Sequence, residues 1–525
     1  MKIALPQINY YVGNISRNCE AIIAAIQKAK SQKADLVVFP EHAICGAYPQ
    51  DLLEKEYFVN DCRLAIEKIA AQCDTIAAIV GAPNLDLEDG ILYNAVFFMY
   101  GREVRGGVNK CILSDYDTLD ESRYFIADEE NNALFYQQQR IRVLFDEYEA
   151  NAIQKNDDII IHVGVTPFTR ENIRYRHDTF ADIARKHGKT VISLNHVGAN
   201  GSLLFDGNTF VFNEKGELCL QLSAFEEDFA VVDSRKLKPI PDKVADAQDI
   251  AVLHDALIRG IRDFFHKNNF KKAILGLSGG IDSAVVAALA AEALGASNVL
   301  GILMPSKFST DHSVTDAEDL VKNLGINSEM FPIKDMYDSF LNTLHPMFKD
   351  LPFNVAEENL QARVRGVLLM AISNKFGHIL LNTSNKSEAA VGYGTLYGDM
   401  CGSLSVLGDV YKTEVYQLAR YLNREKEVIP VNTITKAPSA ELRPGQKDQD
   451  SLPDYETLDK ILKLYLEDNR SRKEIIAQGF PVETVERVFT LVNRCEYKRA
   501  QCPPILKVSK KAFGHGRRMP LTYQI

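Results

Sequence analysis

The stretch Leu277-Ser278-Gly279-Gly280-Ile281-Asp282-Ser283 follows a predicted strand and opens a predicted, alanine-rich helix. Glycines without a Cβ let a ligand approach the backbone closely. Free N–H groups and the helix dipole then favour a phosphate, and the two serines add hydroxyl donors. Asp282 offers a hard oxygen ligand for Mg²⁺. A bare Ser-Gly-Gly would be an ordinary turn, but the full pattern between strand and helix predicts a phosphate loop in a parallel α/β sheet.

Length and composition narrow the class of protein. The chain has 525 residues, which predicts about two to four domains. Its net charge of −10 argues against nucleic acid as the main partner. Nine cysteines, an odd number without C-x-x-C spacing, predict reduced thiols in a cytoplasmic protein. No apolar run approaches the ~18 residues of a membrane span, so we expect no membrane partner, and the N-terminus reads as a strand and not a signal peptide.

The spacing of apolar residues predicts two α/β domains joined by a linker. Short apolar runs alternate with helical patterns over 1–235, which indicates a layered first domain. Prolines among charged residues place a linker at 236–255, and the strand–helix rhythm continues over 256–525. Strands are predicted at 2–8, 35–40, 76–82, 92–100, 140–145, 157–165, 189–197, 209–213, 229–233, 271–277, 298–303 and 378–382, and helices at 16–31, 60–72 and 246–268.

The C-terminal half carries an ordered series of further motifs. They are Met304-Pro305-Ser306, Asp311-His312-Ser313, Glu358-Asn359-Leu360-Gln361-Ala362-Arg363-Val364-Arg365-Gly366, Thr383-Ser384-Asn385-Lys386-Ser387-Glu388, Tyr397-Gly398-Asp399-Met400, Pro438-Ser439-Ala440-Glu441-Leu442 and Glu496-Tyr497-Lys498-Arg499. With the phosphate loop, this series resembles the NAD⁺ synthetases of the ATP pyrophosphatase superfamily. The resemblance implies that ATP adenylates the nicotinate carboxylate of deamido-NAD⁺, and that ammonia then displaces AMP.

The resemblance also implies roles for single residues. Asp282 and Glu388 would bind Mg²⁺, whose preferred ligands are oxygens. Lys412 would offset the charge building on the departing pyrophosphate, and Asp399 would lie near the incoming ammonia. The phosphate loop (278–283), Thr383, Lys412 and Ser439 would contact ATP, and Asn359, Arg363, Glu388 and Lys498 would hold the dinucleotide substrate.

The first domain resembles the carbon–nitrogen hydrolases, or nitrilases. Glu41 lies in Val38-Phe39-Pro40-Glu41, and Lys110 precedes Asp120-Glu121 and Arg123-Tyr124-Phe125 at the family spacing. The resemblance implies an αββα sandwich and a Glu–Lys–Cys triad that releases ammonia from glutamine. Glu41 matches the general base of that triad, and Lys110 matches its oxyanion-stabilising lysine.

The expected cysteine nucleophile is missing. The family pattern I-C-E-D-L-W would end the strand at 141–144, and Phe145 is placed at its cysteine position. Since a phenyl ring cannot attack an amide, no thioester forms there. Cys111 neighbours Lys110 but points to the opposite face of its strand, and Cys45 remains an alternative nucleophile.

We therefore expect an NAD⁺ synthetase with an intact ligase domain and a degenerate amidase domain that keeps Glu41 and Lys110 as an ion pair. Its nitrogen would come from free ammonia or from a separate glutaminase. The alternative is an enzyme that hydrolyses glutamine with a non-standard nucleophile. Another ligase or thiolase of the superfamily fits the Gln361-Ala362-Arg363 segment less well. The resemblance also implies a homo-oligomer built on a synthetase dimer, for which the first domain can serve as a scaffold.

Overall fold

The computed structural model describes residues 1–523 apart from 247, 350, 440 and 444. Contacts divide the chain into two compact units, Met1–Gln248 and Asp249–Ile525. The first helix of the second unit begins at Ile250, because the Asp249 side chain accepts the N–H of Ala251 and caps it. The linker assigned to 236–255 is therefore too long at its C-terminal end.

The first unit contains two six-stranded sheets and a two-stranded ribbon. Sheet one has the order β14-β1-β2-β3-β4-β5, sheet two has the order β13-β12-β9-β8-β7-β6, and β10 pairs with β11 in the numbering that follows. Strands β1 to β3 run parallel, as do β7 to β9, and antiparallel strands extend each sheet on both sides. The strands are β1 (Lys2–Gln7), β2 (Leu36–Val38), β3 (Ala77–Leu85), β4 (Leu92–Tyr100), β5 (Glu103–Asn109), β6 (Leu134–Tyr136), β7 (Gln139–Leu144), β8 (Ile159–His162), β9 (Thr190–Ser193), β10 (Val197–Asn200), β11 (Leu203–Asp206), β12 (Phe210–Phe212), β13 (Leu218–Gln221) and β14 (Asp228–Asp233).

Side-chain alternation along these strands builds the layers. Ile3, Val38 and Ile79 of sheet one pack in one buried cluster with Val143 and Ile161 of sheet two. Neighbouring strand residues point to the opposite face, where sheet one meets its helices. The helices of this unit are α1 (Ile15–Ser31), α2 (Glu56–Ala70) and α3 (Arg170–His187), with 3₁₀ turns at Gln50–Glu54, Glu121–Arg123 and Glu147–Ala152. Because α1 and α2 cover sheet one and α3 covers sheet two, the predicted αββα sandwich is confirmed.

The second unit is built on a parallel sheet of order β17-β16-β15-β18-β19. Its strands are β15 (Ala273–Leu277), β16 (Val299–Leu303), β17 (Asn327–Met330), β18 (Ile379–Asn382) and β19 (Leu404–Ser405). Its helices are α4 (Ile250–Lys267), α5 (Ile281–Leu294), α6 (Asp311–Leu324), α7 (Lys334–Phe348), α8 (Val355–Phe376), α9 (Lys386–Val391), α10 (Lys412–Leu422), α11 (Val431–Thr435), α12 (Tyr455–Leu466), α13 (Arg472–Ala477), α14 (Val482–Arg494) and α15 (Glu496–Arg499), with 3₁₀ turns at Ala296–Asn298 and Asp448–Asp450. The predicted parallel α/β fold of this half is confirmed.

Two further expectations concern the state of the cysteines and the presence of membrane-spanning helices. All nine cysteines are free thiols, as their spacing predicted. Among the helices within the described residues, none combines the length and the apolar character needed to cross a membrane.

Candidate active site

The phosphate loop lies between β15 and α5, where the sequence placed it. Gly279 has a φ of +76°, and a Cβ there would lie 2.2 Å from the carbonyl oxygen of Ser313, so only glycine fits. The Ser278 hydroxyl accepts the N–H of Gly280 at 3.1 Å, and the Ser283 hydroxyl donates to the Gly280 carbonyl at 3.0 Å. These bonds fix the turn that presents the start of α5 to the cavity beside it.

A cavity of about 310 Å³ opens at the C-terminal ends of β15, β16 and β18. Ligands of parallel α/β sheets bind outside this edge. Most of the residues predicted to contact ATP, Mg²⁺ or the incoming ammonia line the cavity. They are Ser278, Gly280, Ile281, Asp282, Ser283, Thr383, Glu388, Asp399, Lys412 and Ser439, whereas Gly279 shapes the loop from behind and Ala440 lies outside the described residues.

Lys412 joins the two predicted metal ligands. Its Nζ lies 2.5 Å from Asp282 Oδ2 and 3.2 Å from Glu388 Oε1, and Asn385 donates to the other oxygen of Asp282 at 2.9 Å. Burial favours a neutral lysine, but the two carboxylates outweigh it and raise the pKa of Lys412. Burial raises the pKa of Glu388 to about 8, with Lys412 opposing the rise. Two carboxylates that converge on one cation form a donor set that fits a hard metal ion such as Mg²⁺.

Three predicted substrate residues lie beside the cavity without lining it. Asn359 Oδ1 accepts the Thr395 hydroxyl at 2.7 Å, and the exposed Arg363 donates to the Leu396 carbonyl at 3.2 Å. Lys498 Nζ donates to the carbonyl oxygens of residues 392 and 394 at 2.8 and 2.7 Å. All three therefore hold the 392–396 segment in this structure.

Arg365 and Asp448 are among the cavity residues that carried no role in the sequence interpretation. Arg365 lines the cavity, and burial lowers its pKa to about 10 against the opposing charges of Asp399 and Glu441. Asp448 also lines it, and its carboxylate accepts the hydroxyls of Tyr393 and Tyr455 at 3.2 and 2.9 Å. Arg363 and Arg365 lie two residues apart on α8, so their side chains point to different faces of that helix. This spacing was the signal in the sequence that could have separated the role of Arg365 from that of Arg363. The Asp448 segment offered no comparable pattern.

The first unit also contains a buried lysine between carboxylates. Lys110 Nζ lies 3.2 Å from Glu41 Oε2 and 2.8 Å from Glu121 Oε2, so the expected Glu41–Lys110 pair is present with a third member that the sequence did not assign. Burial opposes ionisation of Glu121, but the charge of Lys110 prevails and lowers the pKa of Glu121 to about 2. Asn94 donates to both carboxylates and lies 3.2 Å from His42 Nε2.

This centre is closed. Glu41 and Lys110 are each 1% exposed, and the other Glu41 oxygen accepts the backbone N–H of Val165 at 2.7 Å. The Tyr48 hydroxyl donates to the Val165 carbonyl at 2.6 Å, and its ring packs beside Phe205. The carboxylate and the ammonium are thus both buried and paired by protein groups.

At the end of β7, Phe145 faces the core between the two sheets, and the half-buried Asp146 side chain caps the following 3₁₀ turn by accepting the N–H of Tyr148. Phe145 is 2% exposed and packs between the two sheets with Val143, on the face that strand alternation gives it. Burial and the charges of Glu41 and Asp146 all raise the pKa of Tyr48, and the same three raise the pKa of Tyr116. The structure therefore does not bring Phe145 to Glu41 and Lys110. Moving the family pattern by one residue places its cysteine on Asp146 and its glutamate on Glu147.

The two cysteines nearest the centre are buried or turned away. Cys45 is 0% exposed and lies in the core between sheet one and its helices, with its Sγ 3.7 Å from His42 Nδ1. Burial raises the pKa of its thiol well above the usual value. The Cys111 thiol contacts the Asn109 carbonyl, and burial raises its pKa to about 12. Both thiols are therefore neutral, and neither is a ready nucleophile.

Comparison with known proteins agrees with this two-unit arrangement. A carbon–nitrogen hydrolase family model matches residues 2–236, and an NAD synthase model matches residues 253–502. A glutamine-dependent NAD(+) synthetase from Synechocystis sp. is 42% identical over 99% of this chain and 98% of its own, and one from Acinetobacter baylyi is 39% identical with the same coverage.

Two solved structures are similar over the whole chain. The glutamine-dependent NAD+ synthetase of Acinetobacter baumannii, in complex with ADP, has a TM-score of 0.79 and 37% identity, and covers 99% of this chain and 98% of its own. The Cytophaga hutchinsonii structure has a TM-score of 0.86 at 20% identity, covers 100% and 98%, and supports the fold. Similarity of this extent in both halves shows that the chain belongs to the glutamine-dependent NAD⁺ synthetases, a family of carbon–nitrogen ligases.

Proposed function

We propose that this NAD⁺ synthetase takes the nitrogen for amidation of deamido-NAD⁺ from ammonia, and not from glutamine hydrolysed in its own first unit. The observation that carries the proposal is the centre around Lys110. Asp146 follows β7 at the position where the shifted family pattern has its cysteine, and Glu41 and Lys110 are buried in an ion cluster with Glu121. An amide cannot be opened to a thioester without a thiolate.

The ligase half supplies the groups that adenylation requires. Asp282 and Glu388 would hold Mg²⁺, which would neutralise charge on the phosphates of ATP. Lys412 is fully protonated and stabilises the negative charge that builds on the pyrophosphate as it leaves. The start of α5 directs its free N–H groups toward the phosphates.

The acceptor side of the cavity is assigned to Asp399 and Arg365. Burial raises the pKa of Asp399, and its Oδ1 accepts the N–H of Thr395 at 2.6 Å. A carboxylate at this place can take a proton from ammonium or from the attacking amine. Arg365 would pair with the negative charge of the nucleotides, and Asn359, Arg363 and Lys498 would hold the dinucleotide through the 392–396 segment.

The alternative remains an enzyme that hydrolyses glutamine with a non-standard nucleophile, and the names of the relatives favour it. Cys45 with His42 would be the candidate pair, at 3.7 Å. Its burial and raised pKa oppose that role, since reactive thiols are partly exposed and easily ionised. The two functions differ in one measurable quantity, the rate with glutamine.

The test compares NAD⁺ formation from ammonium chloride and from ammonia-free glutamine at matched concentrations. The Synechocystis relative, which is named glutamine-dependent, serves as the positive control. We expect turnover with ammonium and a glutamine rate no higher than the rate without a nitrogen source. Glutamine-driven turnover comparable to that with ammonium would establish the alternative.

We also propose that a second copy of the chain covers helices α7 and α8. Phe340 and Met347 on α7 are 48% and 80% exposed, and Val367 and Phe376 on α8 are each 66% exposed. Helix α8 also buries apolar residues toward the sheet, and a helix that is apolar on more than one face needs a second partner. Sedimentation of a Met347→Glu, Val367→Glu variant is expected to show a smaller species than the unaltered protein, and an unchanged species would contradict this.

The cytoplasmic location stays a prediction.

A further inference from the structure

A buried acid outside the cavity joins the two helices that carry Glu388 and Lys412. Glu388 lies in the first turn of α9, and Lys412 is the first residue of α10. Because their side chains touch at 3.2 Å, the relative placement of the two helix starts sets the geometry of the whole ion triad with Asp282. The acid is Asp459, in the middle of α12.

Asp459 reaches both helix starts. The Ser387 hydroxyl donates to Asp459 Oδ1 at 2.5 Å, and the backbone N–H of Thr413 donates to Asp459 Oδ2 at 2.9 Å. The Ser387 hydroxyl oxygen accepts the N–H of Lys412 at 2.9 Å, which closes a ring of three bonds. Ser387 is 0%, Lys412 2% and Asp459 5% exposed. One carboxylate therefore fixes the residue before Glu388 and the first turn of α10.

The charge of Asp459 suits this place. The first N–H groups of a helix have no partners within it, and the helix dipole favours an anion at its N-terminus. Burial raises the pKa of Asp459 to about 6, and the bonds from Ser387 and Thr413 oppose the rise. The group is therefore mostly ionised at neutral pH and can accept both bonds.

Packing alone does not explain an acid at this position. Helix α12 is held by an apolar cluster that includes Leu458, Ile461 and Leu462. A carboxylate buried beside that cluster costs free energy unless it is fully hydrogen-bonded, so its role lies in the bonds it makes. Those bonds go to α9 and α10, the helices of the ion triad.

We propose that Asp459 is a positioning residue for the amidation reaction, which acts through Ser387 and the first turn of α10 to hold Lys412 and Glu388 in register with Asp282. The proposal rests on the proposed roles of Asp282, Glu388 and Lys412. Without Asp459, the two helix starts would shift relative to each other, while the cavity and its remaining contacts to substrate would persist.

The experiment compares Asp459→Asn and Ser387→Ala with a matched control, Asp454→Asn. Asp454 caps the same helix, α12, by accepting the N–H of Thr457 within the first turn of that helix. Kinetics with ammonium are measured well below the unfolding temperature of each variant, determined by circular dichroism. We expect kcat to fall about 10- to 100-fold in Asp459→Asn and Ser387→Ala, since a displacement of about 1 Å can cost that much. KM for deamido-NAD⁺ should change less than about 3-fold, because substrate contacts remain.

The double variant separates positioning from general loss of structure. If Asp459 and Ser387 act as one unit, the kcat loss of the double variant should not exceed that of the stronger single variant. Folded Asp459→Asn with near-normal kcat, or a kcat loss as large in Asp454→Asn, would overturn the proposal. If Asp459→Asn fails to fold, Ser387→Ala decides by the same criterion. Activity that survives Asp282→Asn as well would instead refute the proposed ion triad.

Discussion

Lys110 and Lys412 each lie between a pair of carboxylates, and the two lysines differ in what surrounds them. Lys110 is 3.2 and 2.8 Å from its partners, and Lys412 is 2.5 and 3.2 Å from its own. The side chains around Lys110 are 1–3% exposed, whereas Asp282 and Glu388 are 18% and 17% exposed and line a cavity. The same arrangement of charges can thus stabilise a closed core or act on a substrate, and access decides which.

The surroundings explain the difference in access. Asn94 and Lys110 donate to one oxygen of the Glu41 side chain, and the backbone N–H of Val165 donates to the other. Lys412, Asp282 and Glu388 instead line the cavity that opens beside the phosphate loop. Four substitutions test whether the first centre is structural and the second catalytic.

The largest effect is expected on the stability of the first unit. Lys110→Met leaves Glu41 and Glu121 buried without their cation, which should lower the free energy of unfolding by about 3–5 kcal/mol. Ammonia-driven synthesis should stay within about twofold at temperatures where the variant is folded. Arg63→Met is the control, because it breaks an exposed pair with Glu67 and should cost less than about 1 kcal/mol. Denaturant unfolding checks both values, and loss of ammonia-driven synthesis in folded Lys110→Met would contradict a purely structural role.

The next effect concerns the open centre. Asp282→Asn removes a charge that the phosphates and their metal need, and should lower kcat with ammonium by about 100-fold or more, or roughly 3 kcal/mol of transition-state stabilisation. Asp335→Asn serves as the control, since Asp335 occupies the first turn of the exposed helix α7. Steady-state NAD⁺ formation measures both variants. Near-normal turnover of Asp282→Asn would mean that the phosphate loop has been misassigned.

A similar loss of stability, without a gain of function, is expected at the end of β7. Phe145→Cys opens space between the two sheets and should cost about 3 kcal/mol, as other large-to-small core substitutions do. Its thiol would face that core and release no glutamate from glutamine. Asp146→Cys, at a half-exposed position, should change stability by less than about 1 kcal/mol. Strong glutamate release by Phe145→Cys would show that the cysteine position is 145 after all.

The smallest effect is expected for Cys45. Cys45→Ser places a hydroxyl in an apolar core and should lower stability by about 1–2 kcal/mol without changing NAD⁺ formation from either nitrogen source. Cys62→Ser is the matched control, because Cys62 is equally buried in the same cluster. A selective loss of glutamine-driven synthesis in Cys45→Ser alone would identify Cys45 as a relocated nucleophile.

Local patterns predicted much of the fold because they depend on nearby residues. Alternating and continuous apolar runs located β1 to β4, β7 to β9 and β15, and the glycine pattern located the loop before α5. Weakly apolar strands were missed, such as β5, of which Glu103, Arg105 and Gly107 are exposed. Helix α3 was missed as well, because its buried face includes Arg170, Arg176 and His177.

Contacts between distant residues could not be predicted in the same way. The sequence paired Lys110 with Glu41 but gave no distance to Glu121, which becomes the closer partner only through the 3₁₀ turn at Glu121–Arg123. Phe145 does not fit the cysteine position, because alternation along β7 turns it with Val143 into the core between the two sheets. Asp459 lies 72 residues from Ser387 in sequence, so its role depends on how α12 packs.

The most direct test of the central claim follows the nitrogen atom itself. The wild-type enzyme is given amide-¹⁵N-glutamine together with unlabelled ammonium, and the isotopic mass of the NAD⁺ formed is measured. A closed amidase centre predicts NAD⁺ without ¹⁵N above natural abundance, with no glutamate released. NAD⁺ that carries ¹⁵N from glutamine would contradict the account and show that the centre around Lys110 opens and hydrolyses glutamine.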